Sequence, residues 1–145
     1  MNDEIMELLP HRAPFLFVDE IISAEKDTIT ARHVFAESEF FFRGHFPQYP
    51  VVPGVILVET MAQSGGAGLR RLGILGGGDL FFLATIDKVK FRLQVRPGDE
   101  VRSEIVNLRV SAKMIRQSGR CYVDGKPAAE AEWMCLVGSG EGAPR

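Results

Sequence analysis

At 145 residues, 46% of them hydrophobic and 25% charged, the chain suits one soluble globular domain whose core needs no metal or disulfide staple. A net charge of −2 argues against generic nucleic-acid or membrane-surface binding and leaves room only for local patches of either sign. Cys121 and Cys135 are too few and too far apart for a zinc knuckle or a redox pair, so they read as reduced packing residues, and no metal or other cofactor is implied.

The start Met1-Asn2-Asp3-Glu4 lacks the positive charge of a secretory signal, and no apolar run approaches the roughly 18 residues of a membrane span, so a cytoplasmic protein is expected. Asp3 to Leu9 predicts a short helix capped by Asp3 and ended by Pro10. Pro14 to Ile22 and Thr28 to Phe35 are rich in aromatic and β-branched residues and flank the polar turn Glu25-Lys26-Asp27, which predicts a hairpin. Residues 38–43 form an aromatic cluster expected to pack beneath the loop that follows. In that loop, Gly44 to Gly54, Pro47, Pro50 and Pro53 restrict the backbone and hold His45 in place at little entropic cost. Pro53 lies where a helix can begin, and Gly54 leaves the backbone open to close approach by another group.

From Gly54 to about Arg71 the period is helical. Val55, Ile56, Leu57, Val58, Met61, Ala62, Ala67, Leu69 and Leu72 cover nearly the whole circumference, as in a helix surrounded by protein. Glu59, Gln63 and Arg70 fall near one stripe, which makes that stripe a site candidate. After a glycine-rich connection at 76–79 come three or four strands, over Leu80–Gln94, Val101–Val110, a segment around Met114–Val123, and Ala128–Val137, with Asp124-Gly125 as a hairpin turn. Residues 138–145 read as a flexible tail, and 1–137 as a single α+β domain with an antiparallel sheet around one long central helix.

A histidine titrates near neutrality, and a glutamate in apolar surroundings has its pKa raised, so His45 and Glu59 can act as base and acid at one pH. Free N–H groups at the helix start, Gly54 foremost, would favour a carbonyl oxygen that gains negative charge. Together these suit proton abstraction next to a thioester carbonyl. No nucleophilic serine motif, phosphate loop or metal-ligand spacing competes. Standing alone, His45 would read as a structural residue, but a buried unpaired carboxylate such as Glu59 needs a partner or a function. Gln63, one turn on, is the expected neighbour, either structural or orienting. His11 and His33 have no comparable setting and read as structural.

Leu9-Pro10-His11-Arg12, Pro14-Phe15-Leu16, Val18-Asp19, Gly44-His45-Phe46-Pro47, Pro50-Val51, Pro53-Gly54-Val55, Glu59, Ala62-Gln63 and Pro97-Gly98-Asp99 together resemble the (3R)-3-hydroxyacyl-[acyl-carrier-protein] dehydratases of bacterial type II fatty acid synthesis. The resemblance spans about residues 8–137. It implies a hot-dog fold and a homodimer, often three dimers in a hexamer. His45 and Glu59 would be the catalytic pair, brought together from different chains. Glutamate rather than aspartate at position 59 matches the Z-type enzymes and favours dehydration without isomerisation. The chain departs from the pattern at Gln48-Tyr49 and Val52, which bears on chain-length preference more than on reaction type.

The resemblance further implies that the Gly54 N–H holds the thioester carbonyl and that an apolar tunnel runs along the dimer interface. Phe46, Val55, Ile86 and Phe91 suit its lining, with Gln63 beside them. Phe82 reads either as a gate or as ordinary core packing. Lys88, Lys90 and Arg92 alternate with Val89, Phe91 and Leu93 and, with Arg96, form a cationic ridge. That ridge is either a solvated sheet face or a docking site for acyl carrier protein. Two rival functions stand beside dehydration: a hot-dog thioesterase, and a non-catalytic acyl-thioester-binding module.

Overall fold

The helical period that begins at Gly54 is realised as one long helix inside a sheet. In the computed structural model, which describes residues 3–139, the chain runs α1 (Asp3–Leu8), β1 (Glu20–Ala24), β2 (Thr28–Val34), a 3-10 turn (Phe40–Arg43), α2 (Gly54–Arg71), β3 (Asp79–Phe91), β4 (Glu100–Val110), β5 (Met114–Val123) and β6 (Lys126–Ser139). The strands make one six-stranded antiparallel sheet in the order β1-β2-β4-β5-β6-β3. It curls around α2, which touches β1, β2, β4, β5 and β6 as well as α1. No helix among the described residues is long and apolar enough to cross a membrane.

From Ile56 to Leu69 every residue of α2 except Glu59 is buried, so the helix is wrapped on nearly all sides. Val55 is the departure from the expected apolar circumference. It is 72% exposed while Ile56, Leu57 and Val58 beside it are buried, so the first turn of α2 is left uncovered in that one direction. On the sheet, alternate residues face the helix: Ile29, Ala31 and His33 of β2, Val101, Ser103 and Ile105 of β4, and Ala129, Ala131, Trp133 and Cys135 of β6. Gln117 of β5 joins His33 and Ser103 as a polar residue of this layer. It accepts from the Trp133 indole N–H at 3.2 Å and donates to Asn107 and to the Gly65 carbonyl, so its burial leaves no amide group idle.

Three expectations are corrected. Strand structure begins at Glu20 rather than Pro14, because Phe17 donates its N–H to the Gln63 side chain of α2 and the Phe15 carbonyl accepts from it, instead of both pairing with a neighbouring strand. Gly138 and Ser139 continue β6, paired with Leu80 and Asp79, rather than opening a flexible tail; positions 140–145 of that expected tail lie outside the described residues. The simple alternation expected at Lys88 is interrupted by a bulge, with Lys88 at φ 52° and two residues of β3 facing one of β6. By contrast, the Asp124-Gly125 turn has both residues at positive φ, 50° and 77°, the conformation a two-residue hairpin needs.

At Gly68, α2 lies close against β2. A Cβ there would lie 2.6 Å from three carbon atoms of Ile29, a stiff β-branched side chain in the sheet. Gly68→Ala gains up to about 1 kcal/mol of helix propensity, but forced repacking costs about 1–3 kcal/mol. A net loss of stability is therefore expected, read as a lower urea midpoint at unchanged slope; a raised midpoint would show that the helix and sheet can part without cost.

Candidate active site

His45 sits at the end of a run of backbone hydrogen bonds that begins in the aromatic cluster. Phe41 and Phe42 are buried, and the Phe41 carbonyl accepts the N–H groups of Gly44 and His45, the latter at 2.9 Å. The His45 carbonyl then accepts Val51 N–H, and Val52 N–H reaches the Val95 carbonyl at 2.8 Å, which ties the proline-rich loop to the segment after β3. The imidazole Nδ1 lies 3.0 Å from the Val51 carbonyl oxygen. A carbonyl can only accept, so Nδ1 carries a proton, and in the neutral ring the lone pair therefore sits on Nε2. The ring stacks on Phe46 at a centroid distance of 4.3 Å.

Pro53 caps α2 and Gly54 is its first residue, so the Gly54 N–H has no carbonyl one turn back to receive it. The Phe91 ring lies where a side chain at 54 would be, 2.8 Å from the position of its Cβ. Bulk at position 54 would displace that ring.

Glu59 lies one turn into the helix. Burial raises its pKa, and a 2.9 Å hydrogen bond from Gln63 Nε2 to Oε2 partly opposes that rise. Gln63 is fully buried and also bonds the Phe15 carbonyl and, through Oε1, the Phe17 N–H at 2.8 Å. Its amide therefore orients the carboxyl while holding segment 15–17 against the helix. Glu59 opens onto a cavity of about 310 Å³ lined by His11, Ala62, Phe81, Phe82, Leu83 and Cys135. The Cys135 thiol is pushed up to about 12 by burial and by the Glu59 charge, so it stays protonated at neutral pH.

His11, read from sequence as structural, turns out to be the neighbour of Glu59. Its Nε2 lies 3.7 Å from Oε2, and its ring is 5.7 Å from that of Phe81. Burial and then the charges of Arg70 and Arg12 lower the His11 pKa, so the ring is neutral at neutral pH and the contact is not an ion pair. This residue is marked in the sequence by the Leu9-Pro10-His11-Arg12 motif, but not for its contact with Glu59. It comes to α2 because Arg12 hydrogen-bonds the carbonyls of Met6, Leu9 and His11 and closes the end of α1.

His45 and Glu59 are not joined by any hydrogen bond or ion pair recorded among the described residues, and His45 does not line the Glu59 cavity. The residues expected in the tunnel lie open on one chain. Val55, Phe91, Phe46, Ile86 and Phe82 are between 43% and 72% exposed, most of them along β3, the edge strand. Phe82 pairs with Leu136, on the opposite face of the sheet from the layer that contains Trp133 and Cys135. The basic ridge is largely matched by acids: Lys88 lies 3.5 Å from Glu132, and Arg92 and Arg120 hold Glu130 at 2.8 and 2.9 Å. Hydrogen bonding from Arg92 lowers the Glu130 pKa. Arg96 stands apart, donating to the Tyr49 hydroxyl at 2.7 Å with its guanidinium 5.4 Å from that ring's centroid.

Gln63→Leu removes the donor that stabilises the ionised Glu59, so the Glu59 pKa should rise further, read by carbon NMR titration of the side-chain carboxyl. The variant should also lose about 1–3 kcal/mol of stability through the unpaired groups at Phe15 and Phe17. An unmoved or lowered Glu59 titration would contradict the orienting role.

Residues 9–132 match the FabA-like domain family. A 3-hydroxyacyl-[acyl-carrier-protein] dehydratase FabZ from Pelotomaculum thermopropionicum is 43% identical over 137 residues, covering 93% of this chain and 96% of that protein. The protein of the same name from Vibrio atlanticus is 43% identical over 134 residues, covering 91% and 89%. Among solved structures, the dehydratase heterocomplex ApeI:P from Xenorhabdus doucetiae superimposes with a TM-score of 0.79 at 17% identity, covering 94% of this chain and 92% of that one. A hypothetical thioesterase from Streptococcus pneumoniae, solved with coenzyme A, gives 0.60 at 10% identity, with 83% and 85% covered. At such identities these structures speak for the fold alone, the hot-dog arrangement of a sheet around one helix. The sequence match over most of its length places the chain further: it belongs to the FabA-like domain family.

Proposed function

We propose that the chain dehydrates (3R)-3-hydroxyacyl thioesters carried on acyl carrier protein to the trans-2-enoyl thioesters, a step of fatty acid synthesis in the cytoplasm. The observation that carries this reading is the contrast between two side chains. The Nδ1–H bond of His45 to Val51 leaves Nε2 free to accept a proton, while burial favours the acid form of Glu59. His45 Nε2 takes the α-proton, and the thioester carbonyl oxygen gains negative charge beside the Gly54 N–H. Glu59 gives its proton to the β-hydroxyl, the C–O bond breaks and water leaves. Gln63 holds the carboxyl in line through its amide.

The separation of His45 from Glu59 within one chain supports a site completed by a second copy. An edge strand with free ladder groups and a row of exposed apolar side chains is a surface that a partner would cover. We therefore place the dimer contact at β3, the acyl tunnel along it between Phe46, Val55, Ile86 and Phe91, and Phe82 at the rim of the Glu59 cavity. Assembly of three dimers into a hexamer extends the same reading. For docking of the carrier, Lys88, Lys90, Arg92 and Arg96 stay the proposed contacts. The Arg96 guanidinium is held by Tyr49, a neutral group, and so keeps its charge for a partner. Charge at this rim would raise the encounter rate and make it salt-sensitive.

The test is enoyl-thioester hydration and its reverse, followed by absorbance. His45→Ala and Glu59→Gln should each lower turnover by about 10²-fold or more, and mixing the two variants should restore activity through hybrid dimers. Because the acid form of Glu59 is the working one, dehydration should fall as pH rises through its raised pKa. Unchanged turnover in both variants would remove the mechanism, and release of free thiol would redirect it to hydrolysis. Failure to complement despite proven subunit exchange would count against shared sites.

A further inference from the structure

A second histidine is held in a way the mechanism does not use. His33 on β2 is 5% exposed, and both ring nitrogens meet carboxylates: Nδ1 lies 2.9 Å from Asp19 Oδ1 and Nε2 lies 3.1 Å from Glu39 Oε1. A neutral ring has one N–H and would turn its other nitrogen's lone pair on a carboxylate oxygen. Two acceptors at hydrogen-bond distance therefore call for two N–H groups. Asp19 is well suited to stay ionised. Its other oxygen accepts the Val34 N–H at 2.8 Å, and its pKa is lowered, burial being outweighed by hydrogen bonds from His33 and Val34 and by the charges of His33 and Arg32.

The three residues join three separate stretches: the segment before β1, β2 itself, and the residue that starts the aromatic turn. From Glu39 the connection to the catalytic loop is short. The Glu39 carbonyl accepts Phe42 N–H, Phe41 in the same turn accepts His45 N–H, and the Phe41 ring packs on Phe17 and Phe35, whose rings also flank His33. We propose that His33 is a positioning residue, an imidazolium clamp between Asp19 and Glu39 that fixes the loop carrying His45 and loosens as the solution turns alkaline.

The charged groups acting on the ring are Asp19 from the segment before β1 and Glu39 from the turn. Arg32, its neighbour on β2, is engaged with Glu20 at 2.8 Å and with Glu100. The elements packed on its remaining sides present the rings of Phe17 and Phe35. Burial opposes the charge on His33, yet the two carboxylates outweigh it and the pKa is raised. A raised histidine pKa means that the clamp is intact below the unfolded value near 6.5 and is lost as pH rises through the folded value.

The inference rests on the reading of His45 as base, and its test separates the two. In nitrogen-labelled wild type, the His33 ring should show two protonated nitrogens at neutral pH. As that signal titrates on the alkaline side, hydrogen-exchange protection of the His45 and Val51 amides should drop by roughly tenfold or more, with kcat falling in parallel. His33→Lys, whose charge persists through that range, should keep the protection and flatten this part of the kcat profile. A singly protonated ring at neutral pH, or an amide titration unchanged in His33→Lys, would overturn the proposal. Absence of dehydration by wild type at every pH would instead overturn the functional reading and leave the ring measurement standing.

Discussion

A carboxyl group inside a helix that is wrapped on nearly all sides must be given a partner, and much of the molecule is arranged around the one it has. Gln63 uses its whole amide: one N–H for Glu59, the other for the Phe15 carbonyl, and its oxygen for the Phe17 N–H. Left unmade, each of these bonds would cost about 1–3 kcal/mol in the interior. The bond to Glu59 points the carboxyl at the cavity. The other two hold residues 15–17 along the helix and so decide that the first strand starts late. That segment also leads into Asp19, which places the His33 clamp within reach of the same helix.

Charge is distributed to match. Near the acid the groups lean neutral: His11 by burial and nearby arginines, Cys135 by burial, and Glu59 itself by burial against the pull of Gln63. The outer face of the sheet does the opposite, setting Glu130 and Glu132 among Lys88, Arg92, Arg116 and Arg120. Pairs at the sheet surface are screened by solvent and contribute little to stability. They match charge across β5, β6 and β3 more than they stabilise the fold. They also leave the apolar side chains of β3 as the conspicuous unfilled surface of one chain.

The two halves of the proposed chemistry are built by different means. His45 is set by local backbone bonds that pass from the aromatic turn through the proline-rich loop, so its position depends on what anchors that turn. Glu59 is set by a side chain on its own helix and by the fit of glycines against neighbours, as at Gly66, where the Phe81 ring occupies the space a Cβ would need. A loop held by backbone bonds and a helix packed on nearly all sides are suited to different duties.

Much of this was legible in the residues alone. The helix from Gly54 to Arg71, the run of three or four strands after it, which proves to be four, the Asp124-Gly125 turn and the candidacy of His45, Gly54 and Glu59 all follow from periodicity, turn chemistry and a carboxyl in an apolar run, because those signals are local. The resemblance carried by the Gly44-to-Gln63 stretch supplied the reaction class. What only the tertiary structure decided depends on groups distant in sequence: His11 beside Glu59, the backbone of 15–17 on Gln63, the acids that answer Lys88 and Arg92, and His33 between Asp19 and Glu39. A side chain's type limits the bonds it can make, but its partner is chosen by the strand order and by the curl of the sheet around α2. No local window contains either.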